Sequence, residues 1–395
     1  MRIALKWILR GFGALVLALL VLGIWKREEL TRVLAVNSLF LPDRIVANFS
    51  HMDRAFLNTP IPTGETPASL LPPGARMMPP AGFDRFVAAR NITSIVVLKD
   101  GALVFEGYYQ GTTAEDLRIS WSIAKSYLSA LMGIILERGD IASLDDPVID
   151  YVPLLRSGAY DGVTIRHVLN MTTGVTFDED YLDKSSDINR MGRVLALGGK
   201  MDAFAAGLTE TFTDPGTDWQ YVSIDMHVLG MVIRGATGRS IIDLMGEEII
   251  APLGVERAPY YLTDGTGVAF VLGGLNATTR DYARFGQMFL QHGAWNGQQI
   301  VPRDWVIAST TPSAPTGADQ YGYGYQWWMP RDARPREYMG RGIYGQYLYI
   351  NEVQGVVIAL TAVDGEFRDA EVQRQNIALF REMTDGLQGD ANGER

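Results

Sequence analysis

The sequence predicts an α+β fold whose antiparallel sheet is assembled from the two ends of the chain and flanked by helices. Three observations predict it. A β-rich hairpin pattern lies near residues 92–109, a second lies near residues 347–360, and helical and loop patterns fill most of the stretch between 122 and 290. Strands on either side of a block of helices bring the ends together in one sheet and leave a mainly helical region inserted between them.

Taken in order, residues 1–27 read as a signal anchor, a single transmembrane helix. Arg2, Lys6 and Arg10 precede an uncharged run from Gly11 to Trp25, which ends at Lys26-Arg27. Fifteen helical residues span ~22 Å, and counting from Trp7 with Arg10 reaching to the interface gives ~28 Å, close to a hydrocarbon core. The leading positive charges keep the start cytoplasmic and export the rest. Val21-Leu22-Gly23-Ile24-Trp25 is bulky where a cleaved signal would be small, so an uncleaved anchor is favoured over a cleaved signal peptide. This places the chain in the cytoplasmic membrane, single-pass, with its main domain on the periplasmic side. Residues 28–80 form a connector rich in turn signals, with Pro60-Ile61-Pro62-Thr63-Gly64 and Leu71-Pro72-Pro73-Gly74. Its apolar residues predict that it packs on the main domain, expected over 81–388, with 389–395 as a disordered tail.

Within the main domain, Ile92–Leu98 and Ala102–Tyr109 flank Lys99-Asp100-Gly101, and an Asp-Gly turn between β-branched runs is a strong hairpin signal. Tyr347–Ile350 and Val356–Leu360 flank Gln354-Gly355 as a second hairpin, and Ala370 to Leu387 shows helical spacing.

Composition removes several function classes. The chain has 395 residues, 47% of them hydrophobic, and a formal charge of −10, which argues against disorder and against a nucleic-acid footprint. It has no cysteine, so thiol catalysis, disulfides and cysteine-bound metals are excluded. His51, His167, His227 and His292 are far apart, with no His-Glu-x-x-His, and are read as structural. No Gly-x-Ser-x-Gly elbow and no phosphate-binding glycine loop is present.

What remains is Ser122-Ile123-Ala124-Lys125 at the head of a helical apolar pattern. A separation of three places serine and lysine on one helix face. A neutral lysine there can take the serine proton, and the helix N-terminus favours developing negative charge. Alone, the tetrad reads more simply as a helix-capping serine beside a solvated lysine. Its context adds to it. Tyr221-Val222-Ser223 follows 99 residues later, and the glycine-rich Gly340-Arg341-Gly342-Ile343 lies a further 119 residues on, leading into a C-terminal strand. Serine-x-x-lysine, tyrosine-x-serine and a glycine-bearing strand follow each other in that order in serine β-lactamases and penicillin-binding proteins.

Longer stretches agree. Ile119–Ser126, Leu144-Asp145-Asp146-Pro147-Val148, Ile165–Gly174, Gly273–Asp281 and Tyr321–Trp328 all match. Over about residues 85–385 the chain resembles the class C β-lactamase-like serine hydrolases of the β-lactamase/penicillin-binding protein superfamily, and within them especially the 6-aminohexanoate-dimer hydrolase group. The resemblance implies a serine β-lactamase/transpeptidase-like fold and hydrolysis through an acyl-serine, with no cofactor or metal. It implies Ser122 as nucleophile, Lys125 as general base, and Tyr221 as the group passing a proton to the leaving group. The oxyanion hole would be the backbone N–H groups of Ser122 and Ile343. Tyr181 matches a loop tyrosine that contacts substrate, the alternative being a tyrosine that packs a surface loop. Ser223, Gly340, Arg341 and Gly342 would also line the substrate site. Lysine near 10.4 when free must be lowered to ~7–8 to act as a base, a bias of ~4 kcal/mol that burial can supply.

One departure is visible. Penicillin-recognising members carry Lys or His where this chain has Gly340, and strand alternation would turn neighbouring Arg341 to the opposite face. This argues against potent β-lactamase or transpeptidase activity and leaves a small ester, amide or short peptide as substrate. The alternatives are a D-aminopeptidase or D,D-carboxypeptidase acting on peptidoglycan, a weak β-lactamase, or a non-catalytic sensor or scaffold.

Overall fold

The computed structural model describes residues 27–181 and 183–392, with scattered positions between 6 and 24. The expected anchor over 1–27 falls largely outside the described residues. Among those described, no helix is long and apolar enough to cross a membrane.

The central sheet has seven strands, and both chain ends contribute to it. Strands β1 (Ile92–Lys99) and β2 (Ala102–Tyr108) form the first hairpin, with Asp100 and Gly101 at φ of 51° and 84°, the left-handed pair that a tight hairpin needs. The C-terminal part supplies β3 (Gly322–Tyr323), β4 (Trp328–Met329), β5 (Glu337–Gly342), β6 (Gln346–Asn351) and β7 (Val356–Ala362). The order is β2-β1-β7-β6-β5-β4-β3, antiparallel throughout, and β7 pairs with β1 from Val356↔Lys99 to Leu360↔Ile95. The α+β architecture read from the sequence is therefore the observed one. The short strands β3 and β4 were not legible beforehand, because two residues carry no period.

Both faces of the sheet are covered, so its central strands are apolar on both sides. Val96, Leu98, Leu348 and Val357 face one core with helices α1 (Ile123–Glu137) and α3 (Thr279–Leu290). Ile95, Val97, Tyr349 and Ile358 face the other, closed by Phe83–Ala89 and by α4 (Ala370–Asn392). Helix α4 thus runs into the segment 389–395 expected as a tail, whose last three residues lie outside the described ones. The free edge of β2 is covered by residues 72–77, where Leu103 N donates to Pro72 O and Met77 N donates to Val104 O.

A second, four-stranded sheet orders Asn58–Pro60, Tyr260–Leu262, Leu275–Ala277 and Arg118–Ile119. It matters because its last strand feeds directly into α1. Residues ahead of the main domain belong to the same core: Leu39, Ile45, Phe49, Met52, Phe56 and Ile61 are all buried in it.

Candidate active site

Three segments far apart in sequence meet at the start of α1. The strand Arg118–Ile119 ends where Ser120 N donates to Leu275 O at 2.8 Å, and Trp121 then turns the chain with φ of 44°. Ser122 is left at the N-cap of α1, with Lys125 one turn further along. Lys125 is not the solvated lysine of the simpler reading, being only 2% exposed. Its Nζ donates to Ser122 Oγ at 2.8 Å and to the Leu272 carbonyl at 2.7 Å. Burial pushes its ammonium down to about 7, against a smaller opposing pull from the Glu179 carboxylate.

Tyr221 comes from the turn before helix α2 (Ile224–Thr237) and lines the hollow beside Ser122. Its ring centroid lies 5.2 Å from Lys125 Nζ. Burial holds the phenol well above its usual range, so at neutral pH it keeps its proton and can relay it. Ser223 stands at the start of α2, and its N–H and Oγ both donate to the Glu179 carboxylate. Tyr181 donates to the same carboxylate at 2.9 Å. Burial raises the Glu179 carboxyl above the usual carboxylate range. Glu179 thus joins the Tyr181 loop to the Tyr221-Val222-Ser223 turn.

The third segment is the end of β5. A Cβ on Gly342 would stand 2.7 Å from Ser120 O and 3.1 Å from Trp121 Cβ, so only glycine lets this strand close on the nucleophile turn. Beyond it, the N–H groups of Ile343 and Ser122 have no backbone acceptor among the described residues. Tyr344 follows at φ of 59° and turns the chain into β6.

Gly340 faces α1, where a Cβ would sit 3.4 Å from Ser126 Oγ. Arg341 points the other way, as alternation requires, but this does not take it out of the cleft. The hollow wraps past the strand end, and Arg341 lines it together with Ser122, Tyr221 and Gly342. Its guanidinium lies 4.7 Å from the Tyr321 ring centroid, 5.1 Å from Trp328 and 5.9 Å from Tyr347. Arg341 thus lies on the face that alternation gives it and still lines the hollow, as expected of a substrate-site residue. A second hollow at Ser122 is walled by Phe40, Trp121, Ile188, Met191, Phe270 and Leu272.

Ser122, Lys125, Tyr181, Tyr221, Ser223, Arg341, Gly342 and Ile343 therefore line the two hollows that meet at Ser122. Gly340, expected among the substrate-lining residues, instead packs against Ser126 and Ile123 of α1 and lines neither. Three contributors escaped the sequence reading. Glu179 lies two residues before Tyr181, and only its burial marks it. The Leu272 carbonyl has no side-chain signature. Phe40 is remote in sequence and comes from the connector. Among the described residues, no cluster of three histidine or acidic side chains is placed to hold a metal ion. An alcohol beside a depressed amine, a proton-bearing phenol and two backbone N–H groups without a backbone acceptor, on residues that line the same hollow, are parts that acyl transfer can use.

Comparison with known proteins places the chain in a family and a fold. A 6-aminohexanoate-dimer hydrolase of Paenarthrobacter ureafaciens is 28% identical over 284 residues, covering 68% of this chain and 72% of that one. Esterase EstB of Burkholderia gladioli is 28% identical over 148 residues, 34% of this chain and 36% of its own. A solved structure named as a "putative 6-aminohexanoate-dimer hydrolase" from Bacillus anthracis superposes with a TM-score of 0.79 at 22% identity, over 89% of this chain and 96% of that one. The Beta-lactamase family profile matches residues 83–382, and the chain belongs to that family of serine hydrolases.

Proposed function

We propose that this protein hydrolyses an ester or amide bond of a small substrate through an acyl-enzyme on Ser122. The observation that carries the reading is the buried Lys125 amine, 2.8 Å from Ser122 Oγ and held at about 7. Neutral Lys125 accepts the Ser122 proton as the oxygen attacks the carbonyl carbon. The resulting oxyanion sits between the N–H groups of Ser122 and Ile343, donors of the kind worth ~3–4 kcal/mol each. Tyr221 passes a proton to the departing oxygen or nitrogen. Water then attacks the acyl-Ser122 ester, and the same groups return the serine proton. Tyr181 and Arg341 line the substrate cleft, Ser223 holds Glu179 in place, and Gly340 and Gly342 keep β5 close to α1.

The charge pattern of residues 1–27 supports a membrane anchor with this domain on the periplasmic side. Carbonate extraction that leaves the full-length chain in the membrane pellet supports it, and a soluble chain beginning after Trp25 overturns it.

The chemistry is tested by treating the protein with a fluorophosphonate and locating the adduct by peptide mass. The adduct belongs on Ser122, and Ser122→Ala should lose both the adduct and turnover of p-nitrophenyl butyrate. Labelling that persists in Ser122→Ala overturns the mechanism.

A further inference from the structure

Residues 38–50 precede the matched family region, 83–382, yet they touch the cleft at its two most constrained points. Phe40 stacks on Tyr344, with centroids 5.2 Å apart and planes at 11°, and lies 6.2 Å from the Trp121 ring at 27°. Phe49 meets the same two rings edge-on, at 5.6 Å and 5.4 Å. Trp121 immediately precedes Ser122, and Tyr344 immediately follows Ile343. Both are bulky residues in the left-handed region, at φ of 44° and 59°. Side chains of that size stay there only where their surroundings over-determine the conformation. Here the surroundings include two phenylalanines from one short segment, each touching both strained residues; Phe367 also packs on Tyr344 at 5.1 Å, but on Tyr344 alone.

The segment is itself tied down by polar contacts that do not involve the rings. The Asn48 side-chain amide donates to the carbonyls of Ser38 and Leu39, each at 3.0 Å, and closes the turn that presents Phe40. The buried Arg118 guanidinium donates to Val46 O at 2.7 Å, Ser50 Oγ at 2.8 Å and Thr93 Oγ1 at 3.1 Å. Arg118 opens the strand that runs into Trp121 and Ser122. The segment and the nucleophile turn are therefore registered to one another at both ends.

We propose that Phe40 and Phe49 are positioning residues for the oxyanion hole. Their rings clamp Trp121 and Tyr344, and so set the directions in which the Ser122 and Ile343 N–H groups point. The two donors come from chain segments more than two hundred residues apart, and this four-ring cluster is a direct packing link between the turns that carry them. The proposal rests on the acyl-Ser122 reading given above.

Phe40→Leu is the variant of choice, because Phe40 is 46% exposed and leucine keeps an apolar side chain there. Phe40 also walls the hollow beside Ser122, so the substrate should be p-nitrophenyl acetate, whose two-carbon acyl group fills the least of it. The expected result is a fall in kcat of at least about tenfold, with KM changed by less than about twofold and the melting temperature retained. Affinity for phenylboronic acid, whose tetrahedral adduct on Ser122 places an oxygen in the hole, should fall by a similar factor. Phe40→Tyr, which keeps the ring, should restore both. An unchanged kcat in Phe40→Leu, a loss confined to KM, or a loss that Phe40→Tyr does not restore overturns the clamp alone. A wild-type protein that neither turns over the ester nor takes the boronate overturns the acyl-enzyme reading, and the clamp with it.

Discussion

Replacing Lys125 by methionine should make the protein more stable at neutral pH while abolishing its activity, and the size of the gain follows from the site. Lysine ordinarily titrates near 10.5, and burial holds Lys125 at about 7. At about 1.4 kcal/mol per pH unit, that displacement destabilises the folded state by about 5 kcal/mol. Below pH 7 the amine is protonated whether the chain is folded or unfolded, and the full cost is present. Between 7 and 10.5 the unfolded chain binds the extra proton, so the cost shrinks as pH rises, and above 10.5 it vanishes. Methionine keeps the unbranched stem without the charge but leaves the Leu272 carbonyl without the donor that now reaches it at 2.7 Å. A buried acceptor left unpaired costs about 1–3 kcal/mol, so the net gain at neutral pH is about 2–4 kcal/mol. Urea unfolding of wild type and Lys125→Met at about pH 6.5 and about pH 9.5 reads both terms, and the gain should shrink by about 3 kcal/mol across that interval. A difference that stays constant with pH, or a Lys125→Met protein less stable than wild type at neutral pH, refutes the claim that Lys125 is held in a depressed, costly state.

Three further outcomes are expected. With neutral Lys125 as the proposed base, ester turnover should rise with pH through an inflection near 7. Glu179→Gln removes the charge that favours the ammonium, so the inflection should move to lower pH, which stopped-flow acylation rates across pH will show. Tyr221→Phe should slow an anilide far more than the matching p-nitrophenyl ester, since nitrophenolate leaves without a proton and an amine does not; equal losses in kcat would remove Tyr221 from the leaving-group step. Gly342→Ala should lower kcat by about a hundredfold or more, because the new Cβ would stand 2.7 Å from Ser120 O and push Ile343 away from Ser122; steady-state kinetics with an unchanged kcat would contradict the close approach.

Much of this site was legible from the chain alone, though unevenly. Ser122 and Lys125 lie three apart on one helix, so their proximity follows from local geometry and needs no tertiary information. Tyr221 and Gly340–Ile343 were reached through the order of motifs, which says that segments meet without saying how. Arg341 shows the limit of this. Alternation rightly turned it away from Gly340's face, but the cleft curves around the end of β5, a shape that no strand period contains. Glu179 was passed over for a related reason: a carboxylate in a loop reads as solvated until the fold buries it against Ser223 and Tyr181.

By itself the sequence determined what local patterning can encode. The two hairpins are specified by an Asp-Gly or Gln-Gly turn between apolar runs, and their pairing into one sheet follows from a helical block that must be looped out. The serine–lysine pair follows from a spacing of three. Only the tertiary structure decided the properties that depend on what surrounds a group in space. Lys125 is a usable base because helices, strands and the Leu272 carbonyl exclude water around it, and desolvation is a sum over neighbours from the whole chain. Ile343 and Ser122 are brought together because Gly342 admits β5 against the Trp121 turn, where Phe40 and Phe49 pack from a segment more than seventy residues upstream of Ser122. Close packing acts over a few ångströms and is indifferent to sequence separation, so these contacts leave no periodic trace in the residues that make them.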